Sequence, residues 1–199
     1  MSWISAVTLS DDVVELAPLK LSHESDLMEA AKDGELWRLW YTMVPKPEDM
    51  GAEIERRLEL QAASSMIAFA IIDKASGKAV GMTTYMNIDG ANRRLEIGST
   101  WNRKSVQGSG LNRRCKLLLL RHAFDDLDCI AVEFCTHFFN RQSRTAIEGL
   151  GAKLDGVLRN HKLLPDGSLR DTCVYSIICS EWPTVKNHLI YQVGRHKKA

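Results

Sequence analysis

Gln107-Gly108-Ser109-Gly110-Leu111-Asn112 runs straight into an apolar helical stretch that begins at Leu111. A glycine-rich turn feeding a helix start is a place where an anion binds. Glycine carries no Cβ, so the backbone can take positive φ and come close to a ligand. The first four N–H groups of the helix have no intrahelical partner and point back at the turn, and the positive end of the helix dipole adds to them. Arg113 and Arg114 fall in the first helical turn, where the dipole disfavours cations. No Asp or Glu lies between Glu96 and Asp125 to offset them. Positive potential concentrated there suits a polyanion; the plainer reading is a flexible turn beside two solvated arginines. Nucleotide patterns fit poorly. Gly-x-x-x-x-Gly-Lys-Ser/Thr is absent. A dinucleotide fingerprint needs a third glycine, although Asp128 and Glu133 stand near the distance at which it wants an acid.

The rest of the chain sets that turn in an ordinary globular frame. At 199 residues, 45% hydrophobic and 26% charged, it suits one domain over 1–199, large enough to bury a sizeable core. No apolar run reaches the roughly 18 residues of a membrane helix, and Met1 to Asp12 lacks the basic and apolar regions of a secretory signal. A cytoplasmic location is the expectation. Five cysteines with no Cys-x-x-Cys pair read as buried thiols in a reducing compartment. Charge is uneven: residues 1–100 hold 10 Lys/Arg and 16 Asp/Glu, and the remainder holds 16 and 9. The basic half contains the turn, as attraction of a polyanion prefers. Its cations are scattered, not striped along one element, which ranks nucleic acid below a small polyanion.

Periodicity places a strand at 13–19, a helix at about 23–33 capped by Ser22, and a second helix at about 48–63. Strands follow at 69–72, 80–88 and 94–101, then a helix at 111–126, a strand at 129–138 and a helix at 141–150. A hairpin of 153–161 and 170–179 comes next, turning at Pro165-Asp166-Gly167-Ser168, with a short last helix and a basic tail over about 192–199. That order indicates an α/β or α+β sandwich.

Residue for residue, the turn resembles the acyl-CoA pyrophosphate loop of the GNAT acetyltransferase superfamily, Gln/Arg-x-x-Gly-x-Gly/Ala. Gln107 and Gly110 match, and Asn112 departs at the last position, where it should crowd the loop. Further blocks are similar to the ribosomal-protein N-acetyltransferase branch: Leu95-Glu96-Ile97-Gly98 with Trp101, then Asn140-Arg141-Gln142-Ser143 with Ala146-Ile147-Glu148 and Leu150-Gly151-Ala152. Gly156-Val157-Leu158-Arg159 and Asp171 to Ile177 complete the likeness, which spans about Val13 to Leu189. Asn102 and Lys104 depart from the apolar residue and proline usual in relatives.

The resemblance implies a mixed, mostly antiparallel sheet of about seven strands, splayed between 94–101 and 129–138. It implies transfer of an acetyl group from acetyl-CoA to a primary amine, the two held in one cleft, with no metal. The acceptor would be a small amine or a protein N-terminus, and a two-fold dimer is the default assembly. Pyrophosphate would sit on Gln107, Gly108, Ser109, Gly110, Leu111, Asn112 and Arg113. The pantetheine arm would lie along Thr100, Trp101 and Asn102 and touch Asn140 and Ser143. A backbone N–H on 96–101 is the expected oxyanion donor, with Gly98 easing the distortion. Glu96 is the candidate general base and Ser143 the candidate proton donor to the leaving thiolate.

Each assignment has a plainer counterpart. Glu96 could sit on a solvated or ion-paired sheet face, and Asn140 is also a good N-cap. Cys129, Glu133, Cys135 and His137 alternate, so a strand puts them on one face; a single strand reaches a shared zinc poorly. A thiol row with a hydrogen-bonded His137 reads better, and His137 is a minor alternative base. Trp37, Trp40 and Tyr41 would shape an acceptor pocket, edged by acids for a cationic amine, or form an aromatic core cluster. Two other classes stay open: a CoA-binding sensor or scaffold that transfers nothing, and a nucleic-acid-associated module using the basic half.

Overall fold

A computed structural model describes residues 3–195. The chain runs β1 (Leu9–Ser10), β2 (Val14–Pro18), α1 (Glu24–Lys32), α2 (Met50–Ala62), β3 (Met66–Asp73), β4 (Lys78–Asp89), β5 (Arg94–Asn102) and α3 (Leu111–Arg121). It continues through β6 (Ala131–His137), α4 (Arg141–Glu148), β7 (Lys153–Leu163), β8 (Leu169–Ile178) and α5 (Trp182–Arg195). One eight-stranded sheet has the order β1-β2-β3-β4-β5-β6-β8-β7. All neighbours are antiparallel except β5 and β6. The short β1 is the strand beyond the seven expected. None of the described helices is long and apolar enough to cross a membrane.

Alternation along β3 shows how the layers form. Ile67, Phe69 and Ile71 point into a core shared with Leu119, Val132, Phe134, Tyr175 and Leu189. Met66, Ala68 and Ala70 point into a second core with Leu27, Ala30, Met50 and Ile54. The sheet therefore has an α3–α5 face and an α1–α2 face, as period-two strands between two helical layers require. The Tyr85 hydroxyl donates to the Leu119 carbonyl at 2.6 Å and pins α3 to β4.

Four details differ from the sequence reading. Ser22 caps nothing: a 3-10 turn over Leu21–His23 precedes α1, whose N-cap is His23. The helix expected through 126 is α-helical only to Arg121, then passes into a π turn over His122–Asp126. Cys129 lies ahead of β6, buried in the α3–α5 core, so it does not share a face with Glu133, Cys135 and His137. Residues 192–195, read as tail, continue α5, which is fourteen residues long rather than short; 196–199 lie outside the described residues.

Candidate active site

Strands β5 and β6 run parallel for three residue pairs only, Arg94↔Ala131, Leu95↔Val132 and Glu96↔Glu133. Past Glu96, β5 pairs with β4 alone, and its β6-facing backbone edge is open to a ligand. Opposite this edge β5 carries one extra residue: Met82 aligns with Trp101 but Thr84 aligns with Gly98. The extra residue is Ser99, at φ +47°. The distortion expected at Gly98 therefore falls one residue later, on a side chain that bears positive φ only under constraint. Gly98 serves a different need, since a Cβ there would lie 2.8 Å from Glu96 Oε1.

An inserted residue inverts the faces beyond it. Leu95 and Ile97 point into the α3–α5 core, yet Trp101 points into the α1–α2 core. Thr100 accordingly turns to α3, where Lys116 Nζ donates to its Oγ1 at 2.6 Å and to Thr83 Oγ1 at 3.2 Å. Lys116 is 5% exposed, and burial pulls its pKa down to about 8. From the opposite face Arg57 on α2, 2% exposed, aims both terminal nitrogens at the Ser99 carbonyl at 3.4 Å. Its Nε is held by Glu53 at 2.7 Å. Two buried cations thus grip the bulge from both faces. Neither was singled out from the sequence, because a lone Lys or Arg on a helix carries no signal of where it points.

At the loop, Gly108 and Gly110 have φ +81° and +89°, and nothing lies within 4 Å of a Cβ at Gly108. The Gly108 and Gly110 amides donate to no other described residue, and Gly110 is the N-cap of α3. This is an open cradle of unpaired amides at a helix start, and it fits a pyrophosphate. Ser109 closes the turn, its Oγ donating to the Val106 carbonyl and accepting from Leu111 N–H. The Leu111 side chain belongs to the core. Asn112 lies inside α3 with ordinary dihedrals, so the crowding expected of it does not arise. Gln107 Nε2 donates to the Asn102 carbonyl at 2.9 Å while its Oε1 accepts from Gln142 at 3.1 Å, tying the loop to the start of α4. Arg113 stays half-buried beside the loop. Arg114 does not: it is buried against Asp11 at 2.7 Å and Asp12 at 2.9 Å. The acids that offset it come from a hundred residues upstream, and it serves the fold.

Glu96 is 6% exposed on the α1–α2 face. Its Oε2 accepts from Asn87 at 2.8 Å, and the Cys135 thiol bonds to it as well. Burial raises its pKa despite those bonds, and the neighbouring Glu133 carboxylate adds to the rise. The solvated-face reading of Glu96 is thereby excluded. Cys135 is pushed up to about 12 by burial and the Glu96 charge, so it remains a thiol. Next along β6, His137 accepts from Phe139 N–H at Nδ1 (3.1 Å) and its buried Nε2 has no partner. Burial, then Arg170, lowers its pKa.

Trp40 is 57% exposed, and its ring meets His137 edge-on at 5.0 Å, Tyr41 at 5.6 Å and Phe139 at 5.9 Å. Trp40 and Tyr41 therefore wall the cleft, whereas Trp37 packs on the α1–α2 core. A cavity of about 550 Å³ bounded by His137 and Phe139, which the Trp40 ring touches, carries one acid, Asp171. Another cavity, of about 520 Å³, is lined by Met43, Lys162, Leu163, Leu164, Pro165 and Arg170. Asn140 is the N-cap of α4, accepting from Ser143 N–H at 3.0 Å, and Ser143 is half-buried in the first turn. The Trp101 side chain lies in the α1–α2 core and that of Thr100 is bound to Lys116, so at these positions only the main chain can meet a ligand. Among the described residues no three His, Cys, Asp or Glu side chains are placed to hold a metal.

Comparison with known proteins agrees with this geometry. The family model described as "Acetyltransferase (GNAT) domain" matches residues 14–153. The Bacillus subtilis (strain 168) protein named "Putative ribosomal N-acetyltransferase YdaF" is 32% identical over 106 residues. That match spans 53% of this chain and 57% of that relative. A solved structure from T. thermophilus, described as a "putative acetyltransferase", is 33% identical. It superposes with a TM-score of 0.83 over 96% of this chain and 98% of that one. The Microcin C7 self immunity acetyltransferase MccE, solved with acetyl-CoA and AMP, shares the fold alone: TM-score 0.74, 21% identity, 84% of this chain and 93% of that one.

Proposed function

Because the chain belongs to the GNAT acetyltransferase family, we propose that it moves an acetyl group from acetyl-CoA to a primary amine by direct attack in one cleft. The observation that carries this reading is the Ser99 bulge, set in the β5/β6 opening between two buried cations and three residues from a buried carboxylate. The cofactor supplies an activated acetyl thioester; the remaining work falls to the chain. Amides of Gly108, Gly110 and the α3 start hold pyrophosphate, with Arg113 beside them. The open edge of β5 from Gly98 to Asn102 takes an extended arm through main-chain hydrogen bonds, and Asn140 borders its path.

At the bulge, Arg57 draws electron density from the Ser99 carbonyl and so strengthens the N–H of the same peptide unit as a donor. Lys116 adds a second positive charge from the other face. Both raise the potential where the acyl oxygen gains negative charge, in a site where water does not screen it. They touch the bulge and not the reacting atoms, so they are positioning residues. Glu96, ionised above its raised pKa, takes the proton of the attacking amine directly or through a water. Ser143 is the donor assigned to the departing thiolate. The relative's name, which contains "ribosomal N-acetyltransferase", supports an amine of a ribosomal component as one acceptor, and a protein N-terminus is such an amine.

The test is thermal stability with acetyl-CoA, CoA, ATP and NAD at matched concentration, followed by thiol release over an amine panel. Ligand at about 100 times its Kd stabilises by roughly 2.7 kcal/mol. A shift with acetyl-CoA and CoA alone, and free thiol only when amine is present, is the expected result. A shift with no thiol release from any amine contradicts transfer and leaves a CoA-binding protein.

A further inference from the structure

The cavity lined by Met43, Lys162 and Arg170 has a charge that acetyl transfer to a simple amine does not call for. Lys162 and Arg170 stand directly across the β7–β8 ladder from each other, and like charges facing across strands are destabilising. Neither forms an ion pair with any described residue. Arg170 spends its Nε on Thr172 Oγ1 at 3.0 Å and leaves its terminal nitrogens free. It is half-buried, and burial lowers its pKa. The Lys162 charge acts on Glu96, and Arg170 acts on His137, so the pair looks onto the same face as the base. The remaining wall, Met43, Leu163, Leu164 and Pro165, is largely apolar.

We propose that this cavity binds a carboxylate carried by the acceptor close to its amino group, held by Arg170 and Lys162 while the amine faces Glu96. This inference rests on the acetyl-transfer reading above. A guanidinium with both terminal nitrogens unspent suits a two-point bond to a carboxylate, and an anion between the cations removes their mutual repulsion. Two cations also repel an ammonium and favour the neutral amine that attacks. A bare amine gains nothing from them, whereas an amine with its own carboxylate is drawn in. The carboxylate can come from two sources, the α-carboxylate of a free amino acid or an acidic side chain next to a peptide N-terminus.

Initial rates of thiol release at fixed acetyl-CoA separate these cases. The acceptors are free amino acids against their carboxamides, and peptide amides with Glu against Gln at the second position. The expected result is at least tenfold higher kcat/KM for the acid in one of the two pairings, which names the source. Arg170→Gln and Lys162→Gln, both in the exposed hairpin and checked by melting midpoint, shrink that gap severalfold. Equal rates for acid and amide in both pairings, a gap that survives in both variants, or thiol release with simple amines but with no member of either pairing would each overturn the proposal. Failure to bind acetyl-CoA would instead overturn the transfer reading on which it stands.

Discussion

The cofactor side and the acceptor side of the cleft are built by different means. The cofactor side is made mostly of backbone: amides at Gly108 and Gly110, the start of α3, and the free edge of β5. Its pieces lie within about twenty consecutive residues. The acceptor side is made of side chains from distant segments: Trp40 and Met43, Asn87, Glu96, His137, and Lys162 with Arg170. A backbone site needs particular dihedrals, which demand glycine and so leave a trace in sequence. A side-chain site needs only that the fold bring its members together, and that leaves none.

Glu96, where the two sides meet, is the most consequential place to test this division. Glu96→Gln should lower kcat by about 100-fold or more, the range of a positioned base, and leave acetyl-CoA affinity intact. Burial raises the Glu96 pKa, so the wild-type rate should fall as pH drops through a value above the ordinary glutamate range. The variant should lose that acid limb; a rate profile that keeps it would remove Glu96 from the chemistry.

Lys116→Met should act next most strongly, lowering kcat about tenfold at unchanged KM for acetyl-CoA. It should also raise stability at neutral pH. The folded pKa of Lys116, about 8, lies below its ordinary 10.5. The unfolded chain therefore holds this proton more tightly, and wild-type stability recovers as pH rises from about 8 to 10.5. The difference corresponds to about 3 kcal/mol. Denaturant melts at pH 7 and pH 10.5 check it. A variant less stable than wild type at pH 7 would show that Lys116 is structural support and not a charge kept at a cost.

Gly110→Ala tests the cofactor side alone. Alanine at φ +89° is strained by roughly 1–2 kcal/mol, so acetyl-CoA should bind about tenfold more weakly, by calorimetry, with kcat at saturation little changed. Ser143→Ala should have the smallest effect. If the hydroxyl supplies the leaving proton, kcat falls severalfold and the basic limb of the pH profile moves. An identical profile would leave Asn140–Ser143 as a helix cap and nothing more.

The same contrast explains what was legible in the sequence. The loop, the succession of strands along the chain and the starts of β5, α3 and α4 could be read locally, from glycines and periodicity. The bulge could not, because Ser99 is not a residue type that announces positive φ, and without it the contact of Thr100 with Lys116 stays hidden. Arg114 looked like a ligand for phosphate because its partners, Asp11 and Asp12, are remote in sequence and adjacent only after folding. Lys162 and Arg170 draw no reading from the sequence, since only the β7–β8 register sets them face to face.

If the thioester carbonyl rests on a bulge made electropositive from both faces, its bond should be polarised before any acceptor arrives. The infrared stretch of acetyl-CoA labelled with carbon-13 at the carbonyl, bound to wild type and to Lys116→Met, measures this directly. A shift to lower frequency on binding, reduced in the variant, is expected. A bound carbonyl at its solution frequency, or a shift identical in both proteins, would mean that the two cations do not act on the acyl oxygen.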